Sequence, residues 1–208
     1  MQSAVLGEKA GGHSLWTFKR FDADQIAWTL KRMEREYAHR FLARNAGRNG
    51  GFVEPTFEDF QRFGVVPFNE TEFFGNVITT SGYTRLSNLL TNQGGTQALD
   101  ATHTRIGVGD GTTAVANTDT DLSALSGSTH RLFNVVTGAG TVGTLTLAFV
   151  ASFATGDANF HWQEFGIDVG NTAQGTTVAS LLFNHALSDQ GTKPNTQVWT
   201  ATATITWS

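Results

Sequence analysis

Asp110, Asp119 and Asp121 fall within one Gly- and Thr-rich stretch, and oxygen ligands at alternating positions are the raw material of a calcium site. The pattern is incomplete, because the EF-hand order is absent and no bidentate Glu follows. Asp119 and Asp121 are therefore read as turn residues ahead of Leu122. The preceding Gly107-Val-Gly-Asp-Gly has the glycine content of a phosphate cradle. No Gly-Lys-Ser/Thr follows it, its spacing is not G-x-G-x-x-G, and residues 112–117 lack the pattern of a helix whose N-terminus would hold a phosphate. It reads as a tight turn leaving a strand. The six histidines show neither H-E-x-x-H nor i, i+4 pairing, so no zinc site is expected. Ser never occurs in G-x-S-x-G. Glu164, in Phe160-His-Trp-Gln-Glu-Phe, is a lone strand acid where glycoside hydrolysis uses a pair. The residues thus predict no catalytic group, no metal and no cofactor.

The elements that would position any such residues differ sharply along the chain. It has 208 residues, a formal charge of −4, 15% charged residues, 23 glycines and no cysteine, which removes disulfide frameworks and thiolate chemistry. The longest apolar run, Leu145 to Ala154, is broken by Thr and Ser and falls short of the ~20 residues of a membrane helix. The start, Met1-Gln-Ser-Ala-Val-Leu-Gly-Glu-Lys, lacks the basic and apolar blocks of a secretory signal, so the product is expected to stay in the producing cell or in a particle assembled there. Residues 1–62 hold 10 of the 14 Lys and Arg with 8 acids, whereas residues 63–208 hold 4 with 10 acids. Of 30 threonines, 27 occur from Thr71 onward. Thr and Gly with few charges is a β composition.

In the N-terminal part, residues 1–14 show no periodicity and read as a flexible or partner-ordered arm. Asp22 followed by Gln25 resembles a capping box, and Ile26, Leu30, Met33, Tyr37 and Phe41 recur at helical spacing, predicting a helix over 23–46 that stops at Gly47. Its basic tail, Arg40, Arg44 and Arg48, is interleaved with acids upstream, so a solvated or protein-facing surface is expected and nucleic acid is not. Seven phenylalanines follow: Phe52, Phe57, Phe60, Phe63, Phe68, Phe73 and Phe74. Thr56 and Asp59 suggest a short capped helix ending at Gly64, bracketed by Pro55 and Pro67. So short a segment cannot enclose seven rings. They either pack on the β part of their own chain or anchor in a neighbouring subunit. With Trp16 and Trp28 they form the set of candidate interface residues.

From residue 76 a short helix is expected over Tyr83 to Leu90. Strands are expected at Thr104 to Val108, Arg131 to Val136, Thr144 to Ala154, Phe160 to Val169, Thr177 to Asn184 and Gln197 to Trp207. In the last of these Trp199, Ala201, Ala203, Ile205 and Trp207 lie on one face and threonines on the other. The pattern predicts a mainly β chain: an antiparallel β-sandwich of jelly-roll or Greek-key kind over 76–208, with residues 1–75 as an N-terminal helical and extended arm with a Phe-rich interface segment.

Four segments of the β part, in order, carry a resemblance. They are Thr104-Arg-Ile-Gly-Val-Gly-Asp-Gly-Thr-Thr-Ala, Thr118-Asp-Thr-Asp-Leu, Gly156-Asp-Ala-Asn-Phe-His-Trp-Gln-Glu-Phe-Gly-Ile, and Gly191-Thr-Lys through Trp207. Together they resemble a β-sandwich family of tailed-bacteriophage virion proteins, over about residues 76–208. The resemblance implies a structural protein without catalytic residues, located in the virion and assembled in the host cytoplasm. Its expected role is a capsid decoration or cement protein, oligomeric, with other virion proteins as partners and no membrane or nucleic acid. The alternative is a tail-fibre, collar or baseplate protein touching host glycans through loops and aromatics such as Trp162, or a head-tail connector component.

Overall fold

The computed structural model describes residues 12–32, 62–75, 77–93, 97–137, 146–170 and 173–207. They form two antiparallel sheets. The first contains β1 (Gly12–Asp22), β2 (Asn69–Phe74), β6 (Thr146–Phe153) and β9 (Gln197–Trp207) in the order β2-β1-β9-β6. The second contains β3 (Val77–Ile78), β4 (Thr104–Gly109), β5 (Arg131–Val135), β7 (His161–Val169) and β8 (Leu181–Thr192) in the order β3-β8-β7-β4-β5. A helical run, α1 (23–32), follows β1, and α2 (Thr80–Leu90) lies between β3 and β4.

Strand alternation builds the core. Trp16 and Phe18 of β1 and Trp199, Ala201, Ala203 and Ile205 of β9 turn to the interior, where they meet Trp162, Phe165, Ile167 and Val169 of β7. Rings cross the gap between the sheets: Trp16 to Phe165 at 5.7 Å, Phe18 to Phe165 at 4.7 Å and Trp162 to Trp199 at 4.9 Å between centroids. At one margin Val136 bridges Ala151, tying the end of β5 to β6, so the two sheets join at that corner. At the other, two residues separate the end of β2 from the start of β3.

Several expectations change. Residues 12–14 are read from sequence as the end of the arm and Asp22 as the N-cap of a helix, with no strand between them. Residues 12–22 are instead β1, paired along its whole length with β9 and over six residues with β2. The boundary expected between 75 and 76 therefore divides strands of a single sheet, because the inward aromatics of β1 complete a core that β6 and β9 leave open. The strand expected at Thr177 to Asn184 is β8, starting four residues later and running to Thr192 through a register shift opposite Trp162 and Glu164. That shift accommodates Ser188-Asp-Gln-Gly, which reads as a turn in sequence. Gly107 and Gly109 are not turn residues either. Both lie within β4, where a Cβ on Gly107 would overlap the Phe133 ring and one on Gly109 would press on Ala124 and Glu164.

Candidate interaction surface

Asp22 ends β1 and starts α1: its Oδ1 accepts from the amides of Asp24 (2.8 Å) and Gln25 (3.2 Å), as the capping pattern predicts. Ile26 and Leu30 then fall on one helical face and pack with Phe21, Val65, Phe63 and Val198 in a second apolar cluster. The other face carries Trp28, 59% exposed, with the Arg32 guanidinium 5.8 Å from its ring. The part of the expected helix beyond residue 32, including Met33, Tyr37, Phe41 and the basic tail, lies outside the described residues, as does the expected short helix except for residue 62 and the turn at Gly64.

β2 is an edge strand whose described partner is β1 alone. Its inward side chains are committed: Thr71 donates to Gln190 Oε1 at 2.5 Å, and Phe73 stacks 6.4 Å from Trp16 and 5.9 Å from Phe18. Outward, Glu70 pairs with Lys19 at 3.4 Å and Glu72 accepts from the Thr17 hydroxyl at 3.0 Å. Phe74 at the end of the strand is 80% exposed and Phe68 before its start is 57% exposed. The candidate interface residues thus divide. Trp16 and Phe73 belong to the core, and Trp16 with no exposure cannot touch a partner. Phe63 packs in the cluster under α1. Trp28, Phe68 and Phe74 face solvent, and Phe52, Phe57 and Phe60 lie outside the described residues. Trp162, a sequence candidate for glycan contact, is likewise fully buried and donates its indole N–H to the Ala158 carbonyl at 2.9 Å.

The polar residues singled out in sequence are placed apart, each with its own partner. Asp110 pairs with His130 at 2.7 Å and Asp121 with Arg131 at 3.0 Å. Asp119 accepts from the Ala116 amide at 2.8 Å and from His185 Nδ1 at 2.5 Å. Among the described residues, no three ligating side chains are grouped to hold a metal. Glu164 is not solitary. Its carboxylate is buried under the loop that follows β4, receiving His185 Nε2 at 2.7 Å and the amides of Ser123 (2.5 Å) and Ala124 (3.0 Å). Burial alone would raise its pKa, but these donors hold it below the ordinary value. Gly111 packs so close to this carboxylate that a Cβ there would overlap it. Burial pulls His185 down, yet the two carboxylates outweigh it and raise its pKa. Sequence reasoning missed this Asp119–His185–Glu164 chain because its members lie far apart in the sequence and only the β7–β8 register brings two of them together.

It also missed a pattern in the charges. All four Lys and Arg beyond residue 62, namely Arg85, Arg105, Arg131 and Lys193, are buried. Arg105 forks onto Asp168 and donates to the carbonyls of Ala173 and Thr177, both at 2.8 Å. Arg131 ties Thr176 (2.6 Å) to Leu122 (3.1 Å) through their carbonyls. Lys193 holds the turn before β7 through the Ala154 carbonyl at 2.6 Å and Asn159 Oδ1 at 2.9 Å, and burial pulls its pKa down to about 8. These cations pin irregular loops to the sheets from inside. No protein-family model matches the chain, and no curated protein or solved structure matches it.

Proposed function

We propose that the chain is a structural subunit of a tailed-phage virion, a capsid decoration or cement protein that docks through α1 and the β2 edge. The observation that carries this reading is the exposure of three rings on these two elements, Phe68 and Phe74 at the ends of the edge strand and Trp28 on the outer face of α1. Each large ring left in water is a strong candidate for burial against another surface. An edge strand offers unpaired amides and carbonyls to an incoming strand, while the Glu70–Lys19 pair and Glu72 on the same face oppose unselective pairing. The resemblance of residues 104–207 to virion β modules supports the same reading, as does the β1–β9 pairing, which suits a Greek-key or jelly-roll form of the sandwich. Small contacts of this kind become strong when symmetry repeats them, so the proposed subunit works as a homo-oligomer on a repeated shell of other virion proteins, assembled in the host cytoplasm.

Quantitative mass spectrometry of purified virions tests the decoration role against the major capsid protein as internal standard. Hundreds of copies per particle are expected. A handful per particle would move the subunit to a fibre, collar, baseplate or connector, and absence from the particle would end the virion reading.

A further inference from the structure

Arg85 lies one turn into α2, and at 6% exposure it is as buried as the pinning cations. It pins far less. Its one hydrogen bond among the described residues runs from Nε to the Gln97 carbonyl at 3.2 Å, so no described residue accepts from Nη1 or Nη2. The negative charge that acts on it is Asp168, and that carboxylate is already forked by Arg105 and accepts from the Ala179 amide at 3.1 Å. Arg85 therefore feels the field of a carboxylate whose hydrogen bonds go to another guanidinium. A buried cation without a full partner is costly, and burial pulls the Arg85 pKa down with only Asp168 opposing.

The guanidinium lines a cleft of about 270 Å³ between α2 and the start of β8. Thr80, Ser81, Thr84 and Asn88 form the polar wall and Leu181 the apolar one. Spacing explains the wall: positions 80, 84 and 88 recur every four residues, and 81 and 85 are the adjacent row of the same face. The Thr84 hydroxyl donates to the Thr80 carbonyl at 2.9 Å and is left to accept. α2 is seated firmly against the sheet, since a Cβ on Gly82 would overlap the Phe183 carbonyl and Thr79 Oγ1 both caps the helix and donates to Leu182 O at 2.5 Å. The cleft is thus bounded by two fixed elements, and Thr80 and Ser81 in its wall belong to the first turn of the helix, at the positive end of its dipole.

The geometry points to a binding site for an acidic monosaccharide, whose single carboxylate or phosphate group lies on the Arg85 fork and whose hydroxyls meet Thr80, Ser81, Thr84 and Asn88. A planar fork whose Nη1 and Nη2 meet no described acceptor matches a two-oxygen anion, and hydroxyl and amide groups that both donate and accept suit a hydroxylated body. Leu181 offers an apolar surface to one face of the ring. The site does not depend on the virion reading.

The test titrates the full chain, labelled for amide NMR, with D-glucuronate, glucose 6-phosphate, inorganic phosphate and glucose. The two sugar acids are expected to shift resonances of α2 and Leu181 and to raise the melting temperature with concentration, glucose to do neither, and inorganic phosphate to bind at least fivefold more weakly. Arg85→Met is expected to weaken the sugar acids more than tenfold while leaving the ligand-free melting temperature within about 3 °C, since it removes a charge without a full partner. Asn88→Ala leaves the fork in place and is expected to weaken the sugar acids severalfold without altering phosphate binding. Glucuronate against glucose 6-phosphate distinguishes a carboxylate from a phosphate source. Failure of both to bind, or binding that survives Arg85→Met, would overturn the site. Equal affinity for phosphate and the sugar acids would overturn the sugar body.

Discussion

His185 has a carboxylate on each ring nitrogen, and an imidazole that donates from both nitrogens is positively charged. The groups facing it are Glu164 from β7 and Asp119 from the loop after β4, and folding raises the His185 pKa above 6.5 while lowering that of Glu164 below 4.5. A raised histidine contributes stability that is complete below pH 6.5 and is lost as pH climbs through its folded value. A depressed carboxyl contributes above pH 4.5 and loses its share as pH falls through its folded value. Both contributions are whole between pH 4.5 and 6.5, so the pair's share of the melting temperature is expected to be highest there and to fall as pH climbs toward 8. Above that Lys193, whose folded pKa of about 8 lies below its ordinary value, gains stability with pH and acts in the opposite sense. His185→Gln should lower the melting temperature at pH 6 by an amount corresponding to about 3 kcal/mol, the scale for breaking a buried pair, and should flatten the fall toward pH 8. Melting curves of both proteins from pH 5 to 8 check this, a range that stops where Lys193 begins to titrate. Parallel curves would show that His185 does not carry the dependence. The exposed pairs of His130 with Asp110 and His161 with Asp189 are common to both proteins and weigh little. At this scale the sequence was partly legible. Asp22 announced its cap through its neighbour Gln25. Glu164 looked solitary because hydrogen bonds across forty residues leave no local trace, and Gly107 mimicked a turn because a glycine needed for close approach reads like one needed for a bend.

Among the elements, β9 was the easiest to read, with bounds and inward face as its strict alternation indicates. β1 alternates as well, but Ser14 and Arg20 occupy inward positions beside Trp16 and Phe18 and blur the apolar face. Arg20 is tolerated there because it donates to Asn69, to Thr71 Oγ1 at 3.3 Å and to the Gln190 carbonyl at 2.7 Å, and stacks 4.4 Å from the Trp199 ring. None of those partners is visible from the local sequence. Deleting residues 1–75 would strip β9 of one of its two neighbours, leaving only β6, and remove Trp16, Phe18 and Phe73 from the core. Each lost aromatic costs about 3–5 kcal/mol, and together they match or exceed the roughly 5–15 kcal/mol that holds an ordinary domain. The truncated chain 76–208 is therefore expected to show no cooperative thermal transition and no dispersed amide spectrum. A sharp transition near that of the full chain would mean that the C-terminal strands form a complete fold alone.

For the whole molecule, composition announced a β-rich chain, and the two sheets follow from it. The division of labour did not: the N-terminal third was read as interface, whereas it supplies both core strands and exposed rings, separated by the two faces of β1 and β2 and by α1. The central claim is that Trp28, Phe68 and Phe74 join this subunit to a repeated virion surface. Co-sedimentation of the full chain with phage particles from which it has been removed tests this most directly, comparing the natural chain with the double variant Trp28→Ser and Phe74→Ser. Both positions are largely exposed, so the variant is expected to melt as the natural chain does. The natural chain should pellet with the particles in saturable amounts and the variant should remain at least tenfold more in the supernatant. Equal pelleting of the two, or a natural chain that does not bind the particle, would contradict the account.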